Sequence, residues 1–152
     1  MPIHGRQPKP MPPDQALASA RAALAMVDTP PGCDADSLRA ALPSVVSHWP
    51  AWVVRAGVFA MRGAYCIWCE PHPAPQETFP SQLILNVPAG RYVVDVLDVS
   101  RRAWAFRESV TGAPLVTGLP YTAGTVLVWI RLVEQPAVPV PPPAIAIAPP
   151  AS

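Results

Sequence analysis

The sequence predicts a mainly β fold: an antiparallel β-sandwich, Ig-like or similar, of about six or seven strands, preceded by one or two short helices and flanked by disordered Pro-rich ends. Three observations predict it. From Val53 onward Val, Tyr, Trp, Phe and Thr are enriched, and turn signals recur roughly every 6 to 12 residues. Only the stretch before Trp52 carries apolar residues at helical spacing, so successive strands follow one another without crossover helices. Of the 23 prolines, five fall between Pro2 and Pro13 and seven between Pro136 and Pro150, which makes both ends poor material for a helix or a central strand. The organisation expected is a Pro-rich disordered segment (1–13), a helical segment (14–52), a β domain (53–134) and a Pro-rich disordered tail (135–152).

The first helix is expected to start at Asp14 as N-cap and to carry Leu17, Ala20, Leu24 and Val27 on one face. It stops near Asp28, because Thr29 precedes Pro30-Pro31-Gly32. A shorter helical turn from Asp34 or Asp36 would bring Leu38 and Leu42 inward, with Pro43 closing it.

Strands are expected at Val53 to Met61 and Ala64 to Glu70, joined at Arg62-Gly63, where glycine supplies the positive φ of a tight hairpin. Gln82 to Val87 and Arg91 to Val99 flank Pro88-Ala89-Gly90, a sequence suited to a three-residue hairpin with a bulge. In that hairpin Leu83, Leu85 and Val87 share a face and Asn86 points away. Next come Trp104 to Val110, a turn at Thr111-Gly112, a short strand around Leu115 to Thr117, a turn near Thr122-Ala123-Gly124, and the strand Thr125 to Val133. In the last strand Val126, Val128, Ile130 and Leu132 alternate with Leu127, Trp129, Arg131 and Val133, so both faces are mostly apolar. It should therefore be central, one face in the core and the other covered by the N-terminal helices.

Charge and length exclude several classes. The foldable stretch is far short of the about 250 residues of a (β/α)₈ barrel. Eleven basic against ten acidic side chains leave a net charge of +1, with no run of either sign, so no phosphate-tracking surface and no nucleic-acid partner is expected. Arg101, Arg102 and Arg107 are the one local basic excess and read as the solvated end of a strand. No apolar stretch reaches the roughly 18 residues of a membrane span, and no secretory signal is visible at the N-terminus.

The candidates for chemistry are few. Cys66 and Cys69 form a CxxC, with Cys33 and His72 as additional ligand types. On a strand, however, positions 66 and 69 face opposite sides, which opposes both a shared metal and a disulfide. Asp95 and Asp98 are separated in the same way, and Glu70 and Glu77 lie at the two ends of a Pro-rich loop, so no carboxylate pair for glycoside hydrolysis is predicted. His48 lacks a nucleophile-elbow companion. Phosphate loops, EF-hand loops and HExxH helices are absent from the sequence. The aromatic side chains remain: flat rings stack on sugars or apolar partners, and Trp104 and Trp49, next to turns, are the ones expected to be exposed.

Three segments carry a family resemblance: Arg62-Gly63-Ala64-Tyr65-Cys66-Ile67-Trp68-Cys69-Glu70-Pro71, Asn86-Val87-Pro88-Ala89-Gly90-Arg91-Tyr92-Val93-Val94-Asp95-Val96-Leu97-Asp98, and Gly118-Leu119-Pro120-Tyr121 leading into Val126-Leu127-Val128-Trp129-Ile130. In texture and order they resemble the C-terminal β-sandwich accessory domain of bacterial glycoside hydrolases, the collagen-binding-type module, over about Trp52 to Val133. The resemblance implies a non-catalytic module of a carbohydrate-active enzyme, without cofactor, that packs on a glycoside hydrolase catalytic domain or contacts polysaccharide. Trp104, Trp49 and Tyr121 are then the candidate ligand-contacting residues. Two other expectations stand beside it: a structural or protein-interaction module tethered through its Pro-rich tail, whose Pro136-Ala137-Val138-Pro139 fits a minimal PxxP pattern, and a small metal- or thiol-dependent protein using Cys66, Cys69 and His72.

Overall fold

The computed structural model of the chain describes residues 7–28, 34–73 and 81–134. The fold is mainly β, with ten strands and one α-helix among these residues. The strands are β1 (Lys9–Pro10), β2 (Arg39–Ala40), β3 (Val46–His48), β4 (Val53–Met61), β5 (Ala64–Pro71), β6 (Gln82–Leu85), β7 (Gly90–Asp98), β8 (Ala103–Gly112), β9 (Leu115–Gly118) and β10 (Val126–Glu134). They form two sheets. Seven strands lie in the larger, in the order β1-β4-β5-β10-β7-β8, with β2 also paired to β4; β3-β6-β9 form the smaller. Cys33, Glu77 and the Pro-rich tail with its PxxP lie outside the described residues.

The long strands follow from period-two patterning. β4 and β5 pair from Val53↔Pro71 to Met61↔Ala64, and Gly63 takes φ +76° at the connecting turn as the hairpin requires. β10 pairs with β5 on one side and β7 on the other, so it is central. Its two apolar faces serve two different cores. Val126, Val128 and Ile130 join a cluster with Ile67, Cys69, Val94 and Val96 that also holds Val46, Leu83, Leu85 and Leu115 of the smaller sheet. Leu127 and Trp129 join a second cluster with Phe59, Cys66 and Leu97, roofed by Ala16, Ala20, Ala23 and Leu24 of α1 (Pro13–Ala25). Each fully buried Leu, Ile or Val contributes roughly 1.5–3 kcal/mol, which is why a strand apolar on both sides is placed centrally.

The helix starts two residues earlier than its sequence suggests. Pro12, not Asp14, is the N-cap; Pro13 occupies the first turn, where its missing N–H costs nothing, and Asp14 sits beside it as a first-turn acid. The buried face consists mainly of alanines, so the helix lies close on the sheet. At Gly57 of β4 an added Cβ would stand 3.0 Å from the Ala16 Cβ and 3.1 Å from the Phe59 ring. Arg21 fastens the helix to the following turn, its Nε donating to the Ala35 carbonyl at 3.0 Å.

Several expectations are corrected. The 14–52 segment is not only helical: after a 3₁₀ turn at Ala35–Ser37, capped by Asp34, it supplies β2 and β3. Leu38 is fully buried as expected, but Leu42 is 73% exposed, because β2 turns the chain away, and Pro43 opens a second 3₁₀ turn instead of closing a helix. Within 1–13, Lys9–Pro10 pairs with β4, and this pairing is parallel, so the larger sheet is not wholly antiparallel.

The hairpin through Pro88-Ala89-Gly90 does not form. β6 spends its hydrogen bonds on β3 and β9, while β7 is flanked on both sides by β8 and β10. The facing was nevertheless as expected, with Leu83, Leu85 and Val87 buried and Asn86 exposed. Residues 86–89 form a corner from one sheet to the other, held by Asn86 N–H on the Val45 carbonyl at 2.7 Å and Tyr92 O–H on the Pro88 carbonyl at 2.7 Å. β7 makes its hairpin with β8 instead. There the Asp98 carboxylate accepts from the Ser100 hydroxyl and the Arg101 N–H, and Arg102 takes φ 55°.

Candidate functional site

The residues with chemical potential are dispersed by the alternation that builds the sheets. Cys66 and Cys69 are both fully buried, Cys66 in the helix-side cluster and Cys69 in the inter-sheet cluster, so they lie on opposite faces of β5. Burial pushes the Cys69 thiol far above its ordinary value, the wrong direction for a thiolate nucleophile or ligand. His72 is at the end of β5, its backbone N–H on the Trp52 carbonyl. Among the described residues no group of three or more His, Cys, Asp or Glu side chains is placed to hold a metal.

Asp95 and Asp98 also diverge. Asp95 is buried on the helix side of β7, and its Oδ1 accepts from Arg107 Nε at 2.7 Å; its Oδ2 has no hydrogen-bond partner among the described residues. Asp98 caps the β7–β8 turn. Glu70 accepts from the Trp68 indole at 3.0 Å and pairs with Arg55 at 3.4 Å, both as neighbours on the sheet. His48 Nδ1 lies 3.1 Å from the Gln82 carbonyl, joining β3 to β6.

The three candidate aromatics do not share a platform. Trp104 is half-buried against the helix-side cluster, and its indole N–H donates to the Asp28 carbonyl at 2.8 Å. It flanks an open polar hollow with Arg102 and Asp28. Tyr121 stands edge-on to Trp52, with ring centroids 5.8 Å apart at 86°, and its hydroxyl donates to the His72 carbonyl at 3.0 Å. Trp49, expected to be exposed, is 8% exposed; it belongs to the inter-sheet cluster, and its buried Nε1 has no hydrogen-bond partner among the described residues.

Trp49 does line a cavity, of about 320 Å³, at the outer edge of β4. That edge is split. β1 pairs with Arg55 and Ala56, β2 with Phe59 and Ala60, and the cavity's walls include Ala56, Gly57, Val58 and Phe59 between and beside them. The prolines mark β1 as the outer limit of the sheet: Met11 donates its N–H to the Ala56 carbonyl at 3.0 Å, so Pro8 and Pro10, which alternate with it, leave no donor on the side away from β4. Pro10, Met11, Ala40 and Ala41 complete most of the wall, and among the described residues no side chain lining the cavity is charged. Sequence reasoning missed this place. The available signal was Gly57, an isolated glycine within a strand pattern, which marks a close approach of another backbone or a ligand. Compared with protein-family models, with curated proteins and with solved structures, the chain finds no match in any of the three.

Proposed function

We propose that the chain is a non-catalytic binding module whose two sheets pack as a sandwich of the Ig-like kind, and that its binding site is the cavity at the split edge of β4. The single observation carrying this reading is that cavity: about 320 Å³, walled mainly by apolar side chains, where the edge of β4 is paired in two short separate pieces. Enclosed apolar cavities with few polar groups are the usual form of small-molecule sites, and this volume is at their lower end. The separation of thiols and carboxylates onto opposite faces supports a holding role over a transforming one.

The experiment is an amide-resonance titration of the chain with a library of small neutral fragments. Saturable shifts concentrated at Ala40, Ala41, Gly57 and Val58 are expected. Shifts scattered over both sheets, or none at fragment solubility, would overturn the assignment of the site.

A second reading keeps the accessory module of a carbohydrate-active enzyme, and the Trp104 hollow favours it: an indole face beside Arg102 and Asp28 is the combination that contacts sugar rings and their hydroxyls. Its test is gel retardation by a panel of soluble polysaccharides. Retardation that Trp104→Ala leaves unchanged removes sugar contact through this residue and leaves packing on a catalytic domain as the role of the module.

A further inference from the structure

Resting on the cavity reading above, we infer that the ligand is a small, uncharged, largely apolar molecule with one hydrogen-bond acceptor, and that the acceptor takes the indole N–H of Trp49. The walls limit the chemistry first. With no Lys, Arg, His, Asp or Glu among the described lining residues, a charged group entering the cavity would lose its hydration without gaining a counter-charge from them. The same shortage of polar side chains, Gln7 apart, leaves the hydroxyls of a sugar unpaired, so this site and the Trp104 hollow select different ligands.

Trp49 then sets the one polar requirement. Indole nitrogen is a donor only, and buried donors are ordinarily paired. Here Nε1 is buried out of reach of solvent, has no hydrogen-bond partner among the described residues, and belongs to a ring that lines the cavity. Because water does not compete for it, an acceptor delivered on an apolar body, after a small turn of the ring, gains the bond without displacing another. The hydrophobic area of the ligand supplies affinity, and the acceptor supplies orientation.

Three probes of one ring system separate these terms: 2-acetonaphthone with a carbonyl acceptor, 2-ethylnaphthalene without one, and 2-naphthoate with a charge. Calorimetric titration of the full chain is expected to show the ketone about five- to tenfold tighter than the hydrocarbon, and the carboxylate weakest. Trp49→Phe keeps an aromatic ring, removes the donor and brings the two neutral probes level. Ala40→Phe, at an exposed wall position, narrows the cavity and weakens both neutral probes without touching the indole. Urea midpoints of both variants confirm that they fold. Equal binding of the two neutral probes to the unmodified chain, with Ala40→Phe still weakening both, would overturn the acceptor while leaving the cavity as the site. Binding of neither would overturn both.

Discussion

Gly57→Ala is expected to destabilise the fold, against the usual gain from replacing glycine in a strand. The added methyl carbon would stand 3.0 Å from the Ala16 Cβ and 3.1 and 3.3 Å from two carbons of the Phe59 ring. Ordinary carbon contacts lie near 3.5–4.0 Å, so helix or ring must retreat by several tenths of an ångström. Ala16 and Phe59 are each 1% exposed, and although both border the cavity, any retreat toward it gives up contacts in the helix-side cluster. Overpacking of this kind costs about 1–3 kcal/mol, more than the about 0.5–1 kcal/mol that alanine returns in backbone entropy. In urea, with a slope of about 1–3 kcal/mol per molar for a domain of this size, the midpoint should fall by a few tenths of a molar to about 1 M with unchanged slope. The partner substitution identifies the cause. Ala16→Gly alone costs about 1 kcal/mol of helix propensity, but in the double variant it removes the nearest clash, so the two losses should sum to less than their separate values by at least about 0.5 kcal/mol. A midpoint that stays or rises in Gly57→Ala, or strict additivity in the double variant, would refute the close seating of α1 on β4.

Three further outcomes follow from the same geometry. Trp52→Phe removes the indole N–H that donates to the Leu119 carbonyl at 2.8 Å and leaves a buried acceptor unpaired, so unfolding should show a loss of about 1–3 kcal/mol, with Trp52→Ala costing more. In a Cys33→Ser background the buried thiols Cys66 and Cys69 should react with an aromatic disulfide reagent only as fast as the protein opens, and in urea both should titrate at once; a rapid single equivalent in native buffer would contradict their burial. Burial, and secondarily the Tyr65 phenol, push the Tyr92 hydroxyl above its ordinary value. Its contribution is complete below the unfolded value of about 10 and is lost as pH rises through the higher folded value, so melting temperatures should fall on the alkaline side, and Tyr92→Phe should flatten that fall.

The parts of the fold legible in the sequence are those decided by one periodicity. Residues of β10 alternate without interruption, and its central place with two occupied faces follows from area alone. Cys66 and Cys69 could be assigned to opposite faces for the same reason, before any coordinates. What could not be read is which strand pairs with which. Pro88-Ala89-Gly90 satisfies the backbone needs of a hairpin, yet the same residues turn a corner between sheets, and the choice depends on β8 and β10 occupying both edges of β7. Trp49 shows a related limit: proximity to a turn suggested exposure, but the turn folds the ring inward against the second sheet. The candidate site was illegible because its walls come from Pro10, Ala40, Gly57 and Trp49, residues with no chemical signature individually.

Those residues acquire meaning through the rules they break. A strand with Pro at alternate positions forfeits pairing on its outer side, a glycine in mid-strand forfeits packing area, and an unpaired buried indole forfeits a hydrogen bond; each is a cost that a domain selected for stability alone would shed. All three converge on one edge of β4. The other departures are Asp95 Oδ2, Trp129 Nε1 and Arg131 Nε, all buried and without hydrogen-bond partners among the described residues; Asp95 is tied to Arg107 at 2.7 Å on the helix side of the sheet, and none of the three residues lines the β4-edge cavity or the Trp104 hollow. Departures from local consistency mark function when they open a space a ligand can enter. By that criterion the edge of β4 qualifies and Asp95 does not, which predicts that Asp95→Asn changes stability and leaves naphthyl ketone affinity where it was, whereas Trp49→Phe does the reverse to the preference for the ketone.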